Sequence, residues 1–67
     1  MCFKKWLVSN FKNERGPIGD LARDVKDDKD FPARAKRRQT IEEYLESCGA
    51  CYGCMNAFDK AWSLYAE

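Results

Sequence analysis

No histidine occurs anywhere in the 67-residue chain. That removes the side chain most used for proton transfer near neutral pH, so Ser–His and Cys–His nucleophilic arrangements are excluded. It also excludes every zinc site that mixes cysteine with histidine. An excess of charge is missing as well: 12 Lys and Arg meet 11 Asp and Glu, for a formal net charge of +1. A near-neutral protein does not coat nucleic acid or membrane with its whole surface, although a local patch stays open. No apolar run approaches the roughly 20 residues that cross a bilayer. The opening residues MCFKKWLVSNF lack a long apolar core followed by a small-residue cleavage site, so no signal peptide is expected. The expected location is therefore cytoplasmic, where the four cysteines stay reduced.

What is present suits a small soluble fold. With 67 residues, one domain is the ceiling. A chain of this size buries only about 60% of its unfolded surface and is marginal in stability. Core material is available: 45% of residues are hydrophobic and 13% aromatic.

Helical spacing dominates, and strand-like alternation is absent. Phe3, Trp6, Leu7 and Asn10 fall on one face of a first helix, with Phe11 at its margin. Residues 13–16 read as a polar loop, and Pro17 suits the first turn of a second helix. Ile18, Leu21, Ala22 and Val25 form its apolar stripe. This helix should fade near Lys29, because Phe31 precedes Pro32 and is pushed from helical angles. The segment PARAKRRQ, residues 32–39, is a basic connection. Thr40 and Glu43 then predict a capping box, followed by a third helix bearing Ile41, Tyr44, Leu45 and Cys48. Gly49 stands where a left-handed C-terminal cap is wanted. A last helix from about Ala50 or Cys51 to Glu67 carries Cys51, Cys54, Met55, Phe58, Ala61, Trp62 and Tyr65 on one face.

Several of these segments are shared with a known family. PIGDLARDVKDDKDFP, then IEEYLE, then AFDKAWSLYAE, resembles the YozE-like family of small bacterial proteins, which have a sterile-alpha-motif-like (SAM-like) helical fold. Phe3, Trp6 and Leu7 resemble the family's first helix. Asp30-Phe31-Pro32 and Phe58-Asp59-x-x-Trp62-x-x-Tyr65 carry most of the likeness. The expectation is an all-α, compact four- to five-helix SAM-like domain over residues 1–67, with its longest helix at the C-terminus. The resemblance carries over no catalytic or ligand-binding residue. Two stretches depart from it: the basic PARAKRRQT and the cysteine cluster.

Those departures are the candidate sites. Cys48, Cys51 and Cys54, joined by Cys2, are the metal candidates, since a tetrahedral site wants four thiolate or imidazole donors. Only three cluster, and small buried thiols also serve a tight helix corner, so donor number favours packing. A redox pair at Cys48 and Cys51 lacks the strand–helix context of a thioredoxin-type motif. No cofactor is expected. Arg34, Lys36, Arg37 and Arg38 form the second candidate, a contact for nucleic acid or an acidic partner. The competing reading is a solvated loop neutralised by the acidic second helix.

The aromatics are expected to be core. With the aliphatics they give a core of Phe3, Trp6, Leu7, Ile18, Leu21, Val25, Phe31, Ile41, Tyr44, Leu45, Phe58, Trp62 and Tyr65. No carboxylate, serine or thiol arrangement supports catalysis, so a non-enzyme is expected. The functional expectation is a protein-interaction module. The alternatives are nucleic-acid binding through Arg34 to Arg38 and metal binding through the cysteines.

Overall fold

A computed structural model describes residues 2–67. They form helix α1 (Phe3–Phe11), α2 (Pro17–Asp27), α3 (Arg38–Ser47) and α4 (Tyr52–Ala66), with no strand among the described residues. The helices hold 9, 11, 10 and 15 residues respectively.

The buried core is Phe3 and Leu7 from α1, Leu21, Ala22 and Val25 from α2, Phe31 from the following turn, Ile41 and Leu45 from α3, and Ala57, Phe58 and Ala61 from α4. Each helix contributes a single face, as the 3.6-residue period requires. α2 packs on both α1 and α4, and α3 leans on α4. Two small residues, Ala22 of α2 and Ala61 of α4, are fully buried. Trp6, Ile18, Tyr44, Trp62 and Tyr65, all placed in the core by their spacing, are only partly buried. Large rings with a polar edge sit at a core's rim, because full enclosure would strand the edge.

An aromatic cluster joins the first and last helices. The Phe3 ring meets Phe58 edge-on at 5.7 Å, Trp62 at 5.1 Å and Tyr65 edge-on at 5.4 Å between centroids. Offset and edge-to-face contacts of this kind suit the quadrupole of the rings. The most distant apolar residues in sequence thus hold the two ends of the chain together.

The joints have separate causes. Between α1 and α2, the Arg23 guanidinium donates to the carbonyls of Lys12 and Glu14 at 3.0 and 2.9 Å. Gly19 lies directly beneath that loop: a Cβ there would meet the Glu14 carbonyl oxygen at 2.1 Å. After α2, Asp28 leaves helical angles, and its carboxylate accepts the Asp30 N–H at 3.0 Å. The helix therefore stops short of Lys29. At the end of α3, Gly49 has φ +77°. The Ala50 N–H donates to Leu45 O at 3.1 Å and the Gly49 N–H to Glu46 O at 3.0 Å. This is the Schellman pattern that the glycine predicts.

The start of α3 corrects one expectation. The capping box at Thr40 does not form. The helix begins one turn earlier, at Arg38, and its N-cap residue Arg37 makes no side-chain cap bond. Glu43 accepts from Gln39 Nε2 at 3.4 Å instead of reaching back to Thr40. Arg38 explains the earlier start, because its side chain is engaged by α3 and α4 together. It pairs with Glu42 at 3.3 Å and with Asp59 at 2.5 Å, and lies 5.7 Å from the Phe58 ring centroid. α4 begins at Tyr52, slightly later than the expected Ala50 or Cys51, with Cys51 extended as its cap residue.

Candidate functional site

The basic segment is pinned at two apolar points and open between them. Phe31 is buried and meets Tyr44 edge-on at 5.7 Å. Ala35 packs against the core, and its N–H donates to Pro32 O at 3.0 Å. Arg34, Lys36 and Arg37 are exposed. None of the three makes a hydrogen bond or ion pair with a described residue.

The run of four cations therefore divides. Arg38 belongs to the fold, as described above. Arg34, Lys36 and Arg37 stay uncommitted. The acidic second helix does not neutralise them: Asp20 pairs with Arg23 on its own helix, and Asp28 accepts from Tyr44. The first turn of α3 also has no acidic residue to offset the cations before it. Positive charge at a helix N-terminus opposes the helix dipole, so these cations do not serve local stability.

Other elements add to this surface. Lys5 from α1, residues 33–36 and Tyr65 from α4 line an open groove of about 760 Å³, with Cys2 at its edge. A neighbouring hollow of about 370 Å³ shares Cys2, Lys5 and Ala33 and adds Lys4, Val8 and Lys26. Sequence reasoning missed the three lysines and treated Tyr65 only as core. A signal was present: no acid interrupts Phe3–Phe11, where Lys4 and Lys5 stand side by side.

The cysteines do not assemble. No group of three or more metal-type ligands exists among the described residues. All four cysteines are free thiols, with Cys48 and Cys51 exposed and Cys2 and Cys54 partly buried. Cys2 lies in the basic groove, whereas Cys51 and Cys54 border a hollow between α2 and α4 beside Asp20 and Asp24. Burial first, then Cys51 and Asp24, push the Cys54 thiol above its ordinary value. Such a thiol is a poorer nucleophile and metal ligand at neutral pH. Cys48 precedes the glycine turn and lines a further hollow with Asp28, Tyr44 and Cys54.

One polar pair near the basic segment makes stability depend on pH. The Tyr44 hydroxyl donates to Asp28 Oδ2 at 2.5 Å, and Lys4 Nζ donates to the Asp28 carbonyl at 3.1 Å. The Tyr44 hydrogen bond, with lesser help from the Asp30 N–H and the charge of Lys4, holds the Asp28 carboxyl below its ordinary 3.8. The stability this gives is complete above the unfolded value and is lost as pH falls through the lower folded one. Tyr44 is the mirror case. Its bond to Asp28, then burial and Cys48, raise the phenol above its ordinary 10.0. That contribution is present below the unfolded value and is lost as pH rises beyond it. Tyr44→Phe is therefore expected to lower the melting temperature at neutral pH and to flatten its decline at both extremes. Melting curves of the two proteins across pH check this, and superimposable profiles would refute it.

No helix among the described residues is long and apolar enough to cross a membrane. The model of the family described as YozE SAM-like fold matches residues 2–67. The chain belongs to the YozE SAM-like family. Its relatives include a UPF0346 protein of Bacillus cytotoxicus, 43% identical over 56 residues, covering 84% of this chain and 73% of the relative. A UPF0346 protein of Bacillus mycoides is 42% identical over 63 residues, covering 94% and 83%. One from Bacillus cereus is 40% identical over the same length and coverage. These names specify no activity, ligand or partner. No solved structure matches the chain significantly. Membership in the YozE SAM-like family thus supports the helical fold and leaves the function to this chain's own surface.

Proposed function

We propose that this chain is a small non-enzymatic module that binds a protein partner in the cytoplasm through the surface built on residues 32–37. The observation that supports it is the set of exposed, unpaired cations Arg34, Lys36 and Arg37 on a loop anchored by Phe31 and Ala35. Uncompensated like charges close together disfavour the compact state. Their use is then between molecules, where cations steer a partner and fix its register. The non-enzymatic part rests on what the titratable groups do. Asp28 and Tyr44 satisfy each other, and burial together with the charges of Cys51 and Asp24 holds the Cys54 thiol protonated rather than activating it.

The test is capture from a lysate of the native host. Wild-type protein is expected to retain a protein partner after nuclease treatment, and R34S/K36S/R37S to lose it. Retention by both proteins, or no captured protein at all, would overturn the reading.

The same cations support a second reading, contact with nucleic-acid phosphates. Glu43 and Glu46 stand exposed on the next helix, which unfits that helix for entry into a groove walled by phosphates, and this places the reading second. Capture that nuclease abolishes would favour it.

A further inference from the structure

We propose that the groove between the start of α1, residues 33–36 and Tyr65 receives an acidic segment of the partner that also carries an apolar side chain. This rests on the protein-partner reading above and names the chemistry of that partner. The two hollows that share Cys2, Lys5 and Ala33 form one continuous surface. Its cations come from three parts of the fold: Lys4 and Lys5 from α1, Lys26 from α2, and Arg34 and Lys36 from the loop. No acidic side chain lines either hollow. Lys4 is the one cation held internally, by its bond to the Asp28 carbonyl. The other four point their charge at solvent across a floor of Ala33, Ala35, Val8 and the Tyr65 ring.

That combination selects its occupant. Exposed ion pairs contribute little affinity alone, so a purely acidic strand would be steered but weakly held. An apolar side chain on the floor supplies the desolvated contact. The floor is poorly suited to nucleic acid. Single strands are held by aromatic faces on which bases stack. The one ring here, Tyr65, already packs against Phe3, Trp6 and Trp62 at 5.4, 5.3 and 5.1 Å. A protein segment with Asp or Glu flanking a Leu or Phe meets both the rim and the floor.

The experiment is a backbone amide NMR titration of the intact chain with three probes: hexaglutamate, a hexaglutamate interrupted by a central leucine and phenylalanine, and an oligothymidylate. The interrupted peptide is expected to shift the amides of Lys5, residues 33–36 and Tyr65. It should bind at least ~10-fold more tightly than hexaglutamate and weaken with added salt. Lys5→Glu with Lys36→Glu should weaken it by another ~10-fold or more, while Lys60→Glu on the far side of α4 leaves it unchanged. The proposal is overturned if the peptide shifts other residues, if no probe shifts the groove, or if the oligothymidylate binds there more tightly. Should the groove fail while nuclease-resistant capture still depends on Arg34, Lys36 and Arg37, the protein-partner reading survives and only its chemistry is wrong.

Discussion

Phe58→Ala is expected to leave the chain largely unfolded, with a loss of about 3–5 kcal/mol. A chain of this length holds about 3–10 kcal/mol in all. Phe58 is fully buried and is gripped from three sides. Phe3 meets it edge-on at 5.7 Å, Trp62 lies 6.1 Å away between centroids, and the Arg38 guanidinium covers its face. Truncation opens a cavity and also strips Arg38 of the ring beneath it, loosening the start of α3. Phe58→Leu keeps most of the volume and should cost far less, under about 1.5 kcal/mol. Denaturant melts followed by circular dichroism check both variants. A cooperative alanine melt within about 1 kcal/mol of wild type would contradict the core assignment. Trp62 is the more conspicuous residue in the sequence, yet it sits half-buried at the rim.

The second large effect runs against helix propensity. In a free helix, Gly→Ala gains about 1 kcal/mol. At Gly19 the sign should reverse, with a net cost of about 1–3 kcal/mol. A Cβ at this position would stand 2.1 Å from the Glu14 carbonyl oxygen and 3.3 Å from that of Phe11. Both are backbone atoms, so no side-chain rotation relieves the clash. The loop itself resists moving: the Glu14 N–H bonds Phe11 O at 2.9 Å, and Arg23 grips Lys12 and Glu14. A thermal melt of Gly19→Ala decides the point, and a rise in melting temperature would refute the close approach. Gly53→Ala is the natural comparison, since a Cβ there meets only the Cys51 sulfur at 3.9 Å.

Much of the helical scaffold is legible in the residues themselves, because periodicity and turn chemistry are local. Of the stripe Ile18, Leu21, Ala22 and Val25, the last three are buried and Ile18 partly so, and Gly49 ends α3 through its positive φ. The misread boundary is instructive. Thr40 and Glu43 make a good local cap, but Arg38 has partners on both α3 and α4, and that tertiary anchor draws the helix start upstream. The α4 partner, Asp59, is 21 residues further along the chain, beyond the reach of any window. The same limit hides the groove. Arg34 and Lys36 are visible as a basic run, but only the packing of α1 against the loop brings Lys5 beside them. The cysteines fail in the opposite direction: neighbours in sequence, they form no group of three ligands among the described residues.

The central claim is that Arg34, Lys36 and Arg37 serve binding and not folding. Its most direct test is R34S/K36S/R37S, measured twice on one preparation. The melting temperature is expected to fall by no more than a few degrees, since each surface substitution away from packed contacts changes stability by at most about 0.5 kcal/mol and removing like charges relieves their repulsion. Nuclease-resistant capture of the protein partner is expected to disappear. A variant that melts much earlier, or one that still captures the partner, would contradict the account.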